Sequence, residues 1–254
     1  MKFQNIRNVL FLLAAVLALA YFGTGIALAQ NASVPDALLA SPDHYKLEFE
    51  NEFVRVLRVH YGPHDTSPMH VHPAPGGVLV PLLEQNARLH GQDGSAHEVH
   101  FKIGQARWAD SKPATDLSFQ TTHWEENLSD QPFELIRVEV KPMKTTRSAP
   151  LNKLDPLVVD PRHYHLEIEN EFVKVIRCRI PPHDKVAMHH HPVGSVIIFM
   201  TDQNLQQTAA DGTSFEAHNK KGKAIWTEPA THRGENVSDQ PYEYIRVDIK
   251  AAVR

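Results

Sequence analysis

The chain is written twice. HYKLEFENEFVRVLRVHYGPHDTSPMHVH at 44–72 returns as HYHLEIENEFVKVIRCRIPPHDKVAMHHH at 163–191. Further on, HWEENLSDQPFELIRVEVK at 123–141 returns as HRGENVSDQPYEYIRVDIK at 232–250. A duplicated unit of this kind must be one fold built twice. The chain has 254 residues, which gives each copy about 100 residues and room for a core of its own. The expected division is a leader at 1–29, a first domain at 30–145 and a second at 146–254. The stretch Pro142 to Leu154 reads as the linker, because Thr145, Thr146, Ser148 and Pro150 break any periodic pattern.

The leader has the order of an export signal. Lys2 and Arg7 precede an apolar run from Val9 to Phe22, and Ala27-Leu28-Ala29 offers small residues for cleavage before Gln30. The apolar run is nearly long enough to span a bilayer, so an uncleaved anchor is the competing reading. Gly23, Thr24 and Gly25 weaken its end and favour cleavage. Either way the body of the protein is expected outside the cytoplasm, in a bacterium the periplasm. Any membrane contact is expected only through this segment if it stays uncleaved. A net charge of −4 leaves no basic footprint for nucleic acid. The single cysteine, Cys178, excludes an intrachain disulfide, and Val59 stands at its place in the first copy. That makes it a small strand residue rather than a nucleophile.

Each copy reads as β. Phe53 to Val59 and Phe172 to Arg179 are rich in β-branched residues, with charges between the apolar positions. Gly76-Gly77 and Gly194-Ser195 precede the apolar runs Val78 to Leu83 and Val196 to Met200. Asp93-Gly94 and Asp211-Gly212 are hairpin turns. Ile136 to Val140 alternates, as does Ile245 to Ile249. Many short strands with close turns, and no long helical period, predict sandwiches or small barrels.

Histidine carries the chemistry. The chain holds 17 of them. His70 and His72 lie two apart in an extended stretch, as do His189 and His191. Residues i and i+2 of a strand face the same way, with Cα atoms roughly 6.5 Å apart. Both imidazoles can then reach one ion at about 2.0–2.1 Å. His190 must face the opposite way and is no ligand. His-x-His alone is a weak signal, but His123 and His232 each open the string His-x-x-Glu-Asn far along the repeat and supply a third ligand. The other matched histidines read differently. His64 and His183, each in Pro-His-Asp, are turn residues. His44 and His163 open a strand, and His100 and His218 sit exposed or behind the ligands. Trp108 and Trp226 are expected in the core. Glu126, Asn127, Glu235 and Asn236 pin a strand end or orient the late histidine. Glu98 and Glu216 read as surface residues. The copies fall out of step just before the late histidine, where the first carries an extra stretch from about Asp116 to Thr122. Beside the expected pocket, it is placed to make the two sites unequal.

These residues resemble the cupin superfamily, and the whole of 44–250 resembles a bicupin. His70-x-His72 and His189-x-His191 match the core of the first cupin motif. His123-x-x-x-Asn127 and His232-x-x-x-Asn236 match the end of the second, with Pro229 ahead of His232. The resemblance implies two tandem double-stranded β-helix barrels, an all-β jelly-roll fold, with a divalent transition metal in each. It departs from the family at two points, the first being that Gly62 and Pro181 do not sit at the motif's usual Gly spacing. The second is the motif's glutamate, which should fall near 76 or 77 and near 195, where Gly76, Gly77 and Ser195 stand. Each site is therefore expected to be a three-His set: His70, His72 and His123, then His189, His191 and His232. Three neutral imidazoles leave the ion its full charge and at least one position for water, oxygen or substrate. Imidazole suits Fe, Zn, Cu or Ni. The family favours iron or manganese, and export favours zinc or copper. Three-His cupins known as enzymes include iron dioxygenases. The expected function is thus a metal-dependent enzyme of oxygenase type on a small molecule. The competing one is a non-catalytic periplasmic binder of a metal or small ligand. No general acid or base is marked, and a homodimer is expected only by analogy with cupins.

Overall fold

A computed structural model describes residues 33–110, 122–142 and 152–253. The leader, most of the extra stretch before His123 and the 145/146 boundary lie outside the described residues.

The first copy runs through a short helix α1 (Ala37–Ala40), then β1 (Tyr45–Glu50), β2 (Val54–Tyr61), β3 (His70–Val71), β4 (Gly76–Pro81) and β5 (Gln85–Gly91). It closes with β6 (Ala96–Phe101), β7 (Arg107–Asp110), β8 (Thr122–Asn127) and β9 (Phe133–Val140). The second repeats it with α2 (Pro156–Val159), β10 (Tyr164–Glu169), β11 (Val173–Ile180), β12 (His189–His191), β13 (Val193–Phe199) and β14 (Gln203–Ala209). It ends with β15 (Ser214–Asn219), β16 (Ala224–Thr227), β17 (Ala230–Asn236) and β18 (Tyr242–Val253). Each copy forms a five-stranded sheet, β1-β2-β9-β4-β7 or β10-β11-β18-β13-β16, and a four-stranded sheet, β3-β8-β5-β6 or β12-β17-β14-β15. The strands pair antiparallel throughout. This is the all-β, two-barrel architecture expected from the repeat.

Local chemistry sets the turns. Asn51 Oδ1 accepts the backbone N–H of Phe53 and Val54 at 2.8 and 2.9 Å, and Asn170 does the same for Phe172 and Val173. These Asx turns start β2 and β11. Gly94 and Gly212 sit at φ +83° and +88° in the β5–β6 and β14–β15 hairpins, a region that a Cβ disfavours. Asp36 caps α1 by accepting from Leu38 at 3.0 Å, and Asp155 caps α2 in the same way.

The five-stranded sheets are buried on both faces. In β9, Phe133 and Leu135 point into the first barrel, while Ile136, Val138 and Val140 point out of its back. In β18, Tyr242 and Tyr244 point inward and Ile245, Val247 and Ile249 outward. The two backs meet in one apolar cluster drawn from both copies. Trp108 stacks on Phe172 and Trp226 on Phe53, with ring centroids 5.6 and 5.7 Å apart. Both tryptophans are half-buried, and the core they pack against is the shared one. Arg58 donates to the Gly222 carbonyl of the other copy at 2.7 Å, and Arg177 mirrors it on Gly104.

The alternation of β9 and β18 now has a physical meaning. Apolar and charged residues alternate most often because one face is wet. Here the apolar face is the shared core, and the charged face, Arg137 with Glu139 and Arg246 with Asp248, lines the barrel interiors. Because the core is shared, Ile245→Ala is expected to cost about 2–5 kcal/mol. It should lower a single calorimetric transition that unfolds both barrels. Two transitions, only one of them moved, would contradict a shared core.

Candidate metal centres

Register builds the histidine groups. His70 pairs with His123 across β3 and β8, and His189 with His232 across β12 and β17. His72 and His191 stand two residues on, on the same face. Each trio offers ring nitrogens that all lie within 4.8 Å of one another. His190 turns away and bonds Thr231 Oγ1 at 2.8 Å. The structure thus brings together all six residues proposed from sequence.

Tautomers follow from the hydrogen bonds. His70 donates Nδ1–H to the Pro68 carbonyl at 2.9 Å, and His189 donates to Ala187 at 2.8 Å. Nε2 then carries the lone pair in both, and Tyr45 and Tyr164 hydroxyls donate to it at 3.1 and 3.2 Å. Burial drives the His70 and His189 pKa values down to about 4 and His232 to about 3, with cationic Arg137 or Arg246 adding to the effect. Burial likewise holds His72 and His191 well below the ordinary imidazole value. At neutral pH these rings are uncharged, the state a divalent ion requires. Among the described residues, the buried Nε2 atoms of His72 and His191 have no hydrogen-bond partner. Buried polar atoms are normally satisfied. A transition metal fits here: clustered neutral imidazoles, largely buried, with ring nitrogens close enough together to share one ion.

The first barrel holds residues that the sequence reading passed over. Glu139 accepts from His72 Nδ1 at 2.8 Å and from Arg137 Nε at 3.0 Å. Its other oxygen accepts from Arg55 Nε at 2.6 Å, and the same guanidinium grips Asp36 at 2.7 and 3.0 Å. Glu125 is also buried, bonded to Gln85 Nε2 at 2.7 Å and lining the same small cavity as His72 and His123. Burial pushes its pKa up to about 7, against the opposing pull of Gln85 and Arg137. Period two was the available signal. Glu125 is i+2 from His123, and Glu139 lies on the inward-facing phase of β9.

The second barrel differs at these positions. Register puts Gly234 where Glu125 stands. A Cβ at Gly234 would lie 2.8 Å from Leu205 Cδ1. Asp248 replaces Glu139, and Ser195 replaces Gly77. A Cβ at Gly77 would come 2.7 Å from the Val138 carbonyl, so the first barrel cannot place a hydroxyl there. Asp248 accepts from Ser195 Oγ at 2.6 Å and Arg246 Nε at 2.7 Å, and neither ring nitrogen of His191 has a partner among the described residues. The cavities diverge accordingly. The first is about 30 Å³ and the second about 430 Å³. His189 and His232 line the larger one with Phe199, Phe215, Tyr242 and Tyr244, and the Gln203 and Asn219 amides.

The remaining expectations resolve simply. His64 and His183 occupy turns at φ +59° and +56° and meet Asp130 and Asp239. His100 and His218 are exposed, as are Glu98 and Glu216. Asn127 and Asn236 pin strand ends by donating to backbone carbonyls, Gln131 and Gln240 among them. Glu126 and Glu235 pair with Arg88 and Lys185. Cys178 is fully buried, and burial raises its thiol to about 12.

No family model and no curated protein matches the sequence. Solved structures do match. AerE from Microcystis aeruginosa superposes with a TM-score of 0.55 at 14% identity, over 81% of this chain and 92% of its own. Oxalate decarboxylase of Bacillus subtilis, described for its Mn(II) centres, superposes at 0.52 and 11% identity, over 80% and 70%. A cupin domain from Bordetella pertussis is 29% identical over 35% of this chain and 92% of its own, with a TM-score of 0.33. The fold is the cupin barrel in tandem, a bicupin. Each barrel carries a three-His group whose ring nitrogens lie close enough together to hold one metal ion.

The pKa shifts fix a pH dependence for the chelator-stripped protein. The lowered histidines contribute stability that is complete above their unfolded value of 6.5 and lost as pH falls through about 4. Glu125 runs the other way, complete below 4.5 and lost as pH rises through about 7. Glu125→Gln should therefore raise the melting temperature by a few degrees at pH 8 and leave it unchanged at pH 4.5. Equal changes at both pH values would mean that folding does not raise the Glu125 pKa.

Proposed function

We propose that the protein is an exported, metal-dependent enzyme that oxygenates a small molecule in its second barrel. The observation that carries this reading is a three-His group of which His189 and His232 line a cavity of about 430 Å³. That volume lies in the range of small-molecule sites. The leader with its Ala27-Leu28-Ala29 supports export to the periplasm.

His189, His191 and His232 would hold the ion, and His70, His72 and His123 would hold one in the first barrel. A redox-active divalent ion supplies Lewis acidity and one-electron chemistry when bound. The chain supplies the rest. Buried Phe199 and Tyr242, with half-exposed Phe215, give apolar walls that seat a flat, mostly hydrocarbon molecule. The amides of Gln203 and Asn219, bonded to each other at 2.7 Å, keep further donor and acceptor capacity that can orient a polar substituent. The Tyr164 hydroxyl, pushed well above its ordinary pKa by burial, stays protonated and donates beside His189.

One observation favours a second reading, a non-catalytic periplasmic binding protein. Gly234 removes from the working cavity the buried acid that Glu125 gives the other barrel. Dioxygenation needs no such acid when dioxygen itself is the oxidant. The two readings separate by experiment. The protein is loaded anaerobically with Fe(II), then given air and a panel of phenols and aromatic acids. The oxygenase reading expects dioxygen uptake matched by substrate loss, abolished in His232→Ala. Ligand binding without uptake across the panel would leave the binding protein.

A further inference from the structure

Resting on the metal-binding reading above, we infer that the two centres have divided their work. The first is a narrow, pre-ordered site that holds its ion tightly and leaves room for nothing larger than water. The second is a loosely ordered site that alone admits an organic ligand.

Three differences carry this. The first is orientation. In the first barrel His72 is fixed by Nδ1–H donated to Glu139, a carboxylate itself held by Arg55 and Arg137. Such a carboxylate sets the ring's tautomer and angle and makes its other nitrogen a better donor. In the second barrel Asp248 is one methylene shorter and is bonded to Ser195 and Arg246 instead. His191 has neither nitrogen held among the described residues, so ordering its ring is left to the ion. The second difference lies further out. Arg55 bridges Glu139 to Asp36, whereas among the described residues Lys174 at the matching place in β11 reaches only Asp155, at 2.7 Å. A planar guanidinium can bridge two carboxylates, and an ammonium at this distance holds one. The third is space. Glu125 and Val99 line a cavity of about 30 Å³, room for about one water. Gly234 and Ala217 line one of about 430 Å³. Its aromatic walls and two amides suit an aromatic ligand with one polar group.

Zinc is the probe for affinity. The purified protein loaded with Zn(II) is titrated with a chelator, and bound zinc is counted at each step. Two releases of one ion each are expected, separated by roughly 10- to 100-fold in chelator concentration. Glu139→Gln should move the tighter release toward the weaker. His72→Ala should abolish the tighter release and His191→Ala the weaker, with melting temperatures confirming that both variants fold. Two equal ions released together would overturn the inference and leave the metal-binding reading intact. A tighter release that survives His72→Ala and vanishes in His191→Ala would also overturn it. No zinc bound at either centre would overturn the metal-binding reading itself.

The probe for admission is 4-phenylimidazole, which joins one metal-binding nitrogen to an aromatic ring. One equivalent should bind the two-ion protein, and none the one-ion protein. Two equivalents, none at all, or binding to the one-ion protein would each overturn the claim that the second barrel alone admits an organic ligand.

Discussion

The strands at the middle of this molecule have no wet face. The β9 and β18 strands each turn isoleucine and valine toward a core shared by both copies, and each turns arginine and a carboxylate into its own barrel. Burying such charges without partners would cost several kcal/mol each. Their pairing is therefore a condition of the fold as much as a device of the site. Arg137 with Glu139, and Arg246 with Asp248, satisfy that condition in place. Each of these carboxylates lies on the same interior surface as a histidine trio.

From that constraint the two copies diverge by small changes. The pair Glu139 and Gly77 leaves a carboxylate long enough and free enough to bond His72. The pair Asp248 and Ser195 ties the shorter carboxylate to a hydroxyl and an arginine. Glu125 occupies one barrel interior, and Gly234 clears the other. A one-methylene difference, a hydroxyl and a missing side chain turn a repeated fold into two different interiors. The six histidines meanwhile keep nearly the same spacing, with matched ring separations of 4.7 and 5.3 Å in both trios.

Much of this was legible in the residues. Period-two spacing put His70 with His72 and His189 with His191, and the repeat placed His123 and His232 at equal stations. The turn histidines, the pinned asparagines and the buried cysteine followed from local rules of the same kind. Glu125 and Glu139 were not found, although both stand on the same phase as residues that were. An acid within an alternating strand normally faces water, and nothing local says that here the apolar face is buried against a second barrel. The extra stretch before His123 drew attention as the source of unequal sites. The inequality seen among the described residues comes from single residues facing inward.

Taken alone, the sequence determined the duplication, the β character, the histidine trios and their pairing across the two copies. These depend on spacing along one strand and on the repeat, which are properties of the chain. Only the tertiary structure decided which face of β9 and β18 is interior, which carboxylate reaches which histidine, and how much room each barrel keeps. Those depend on register between strands far apart in sequence and on the burial that follows when two sheets pack back to back. A hydrogen bond from His72 to Glu139 at 2.8 Å joins residues that no local rule connects.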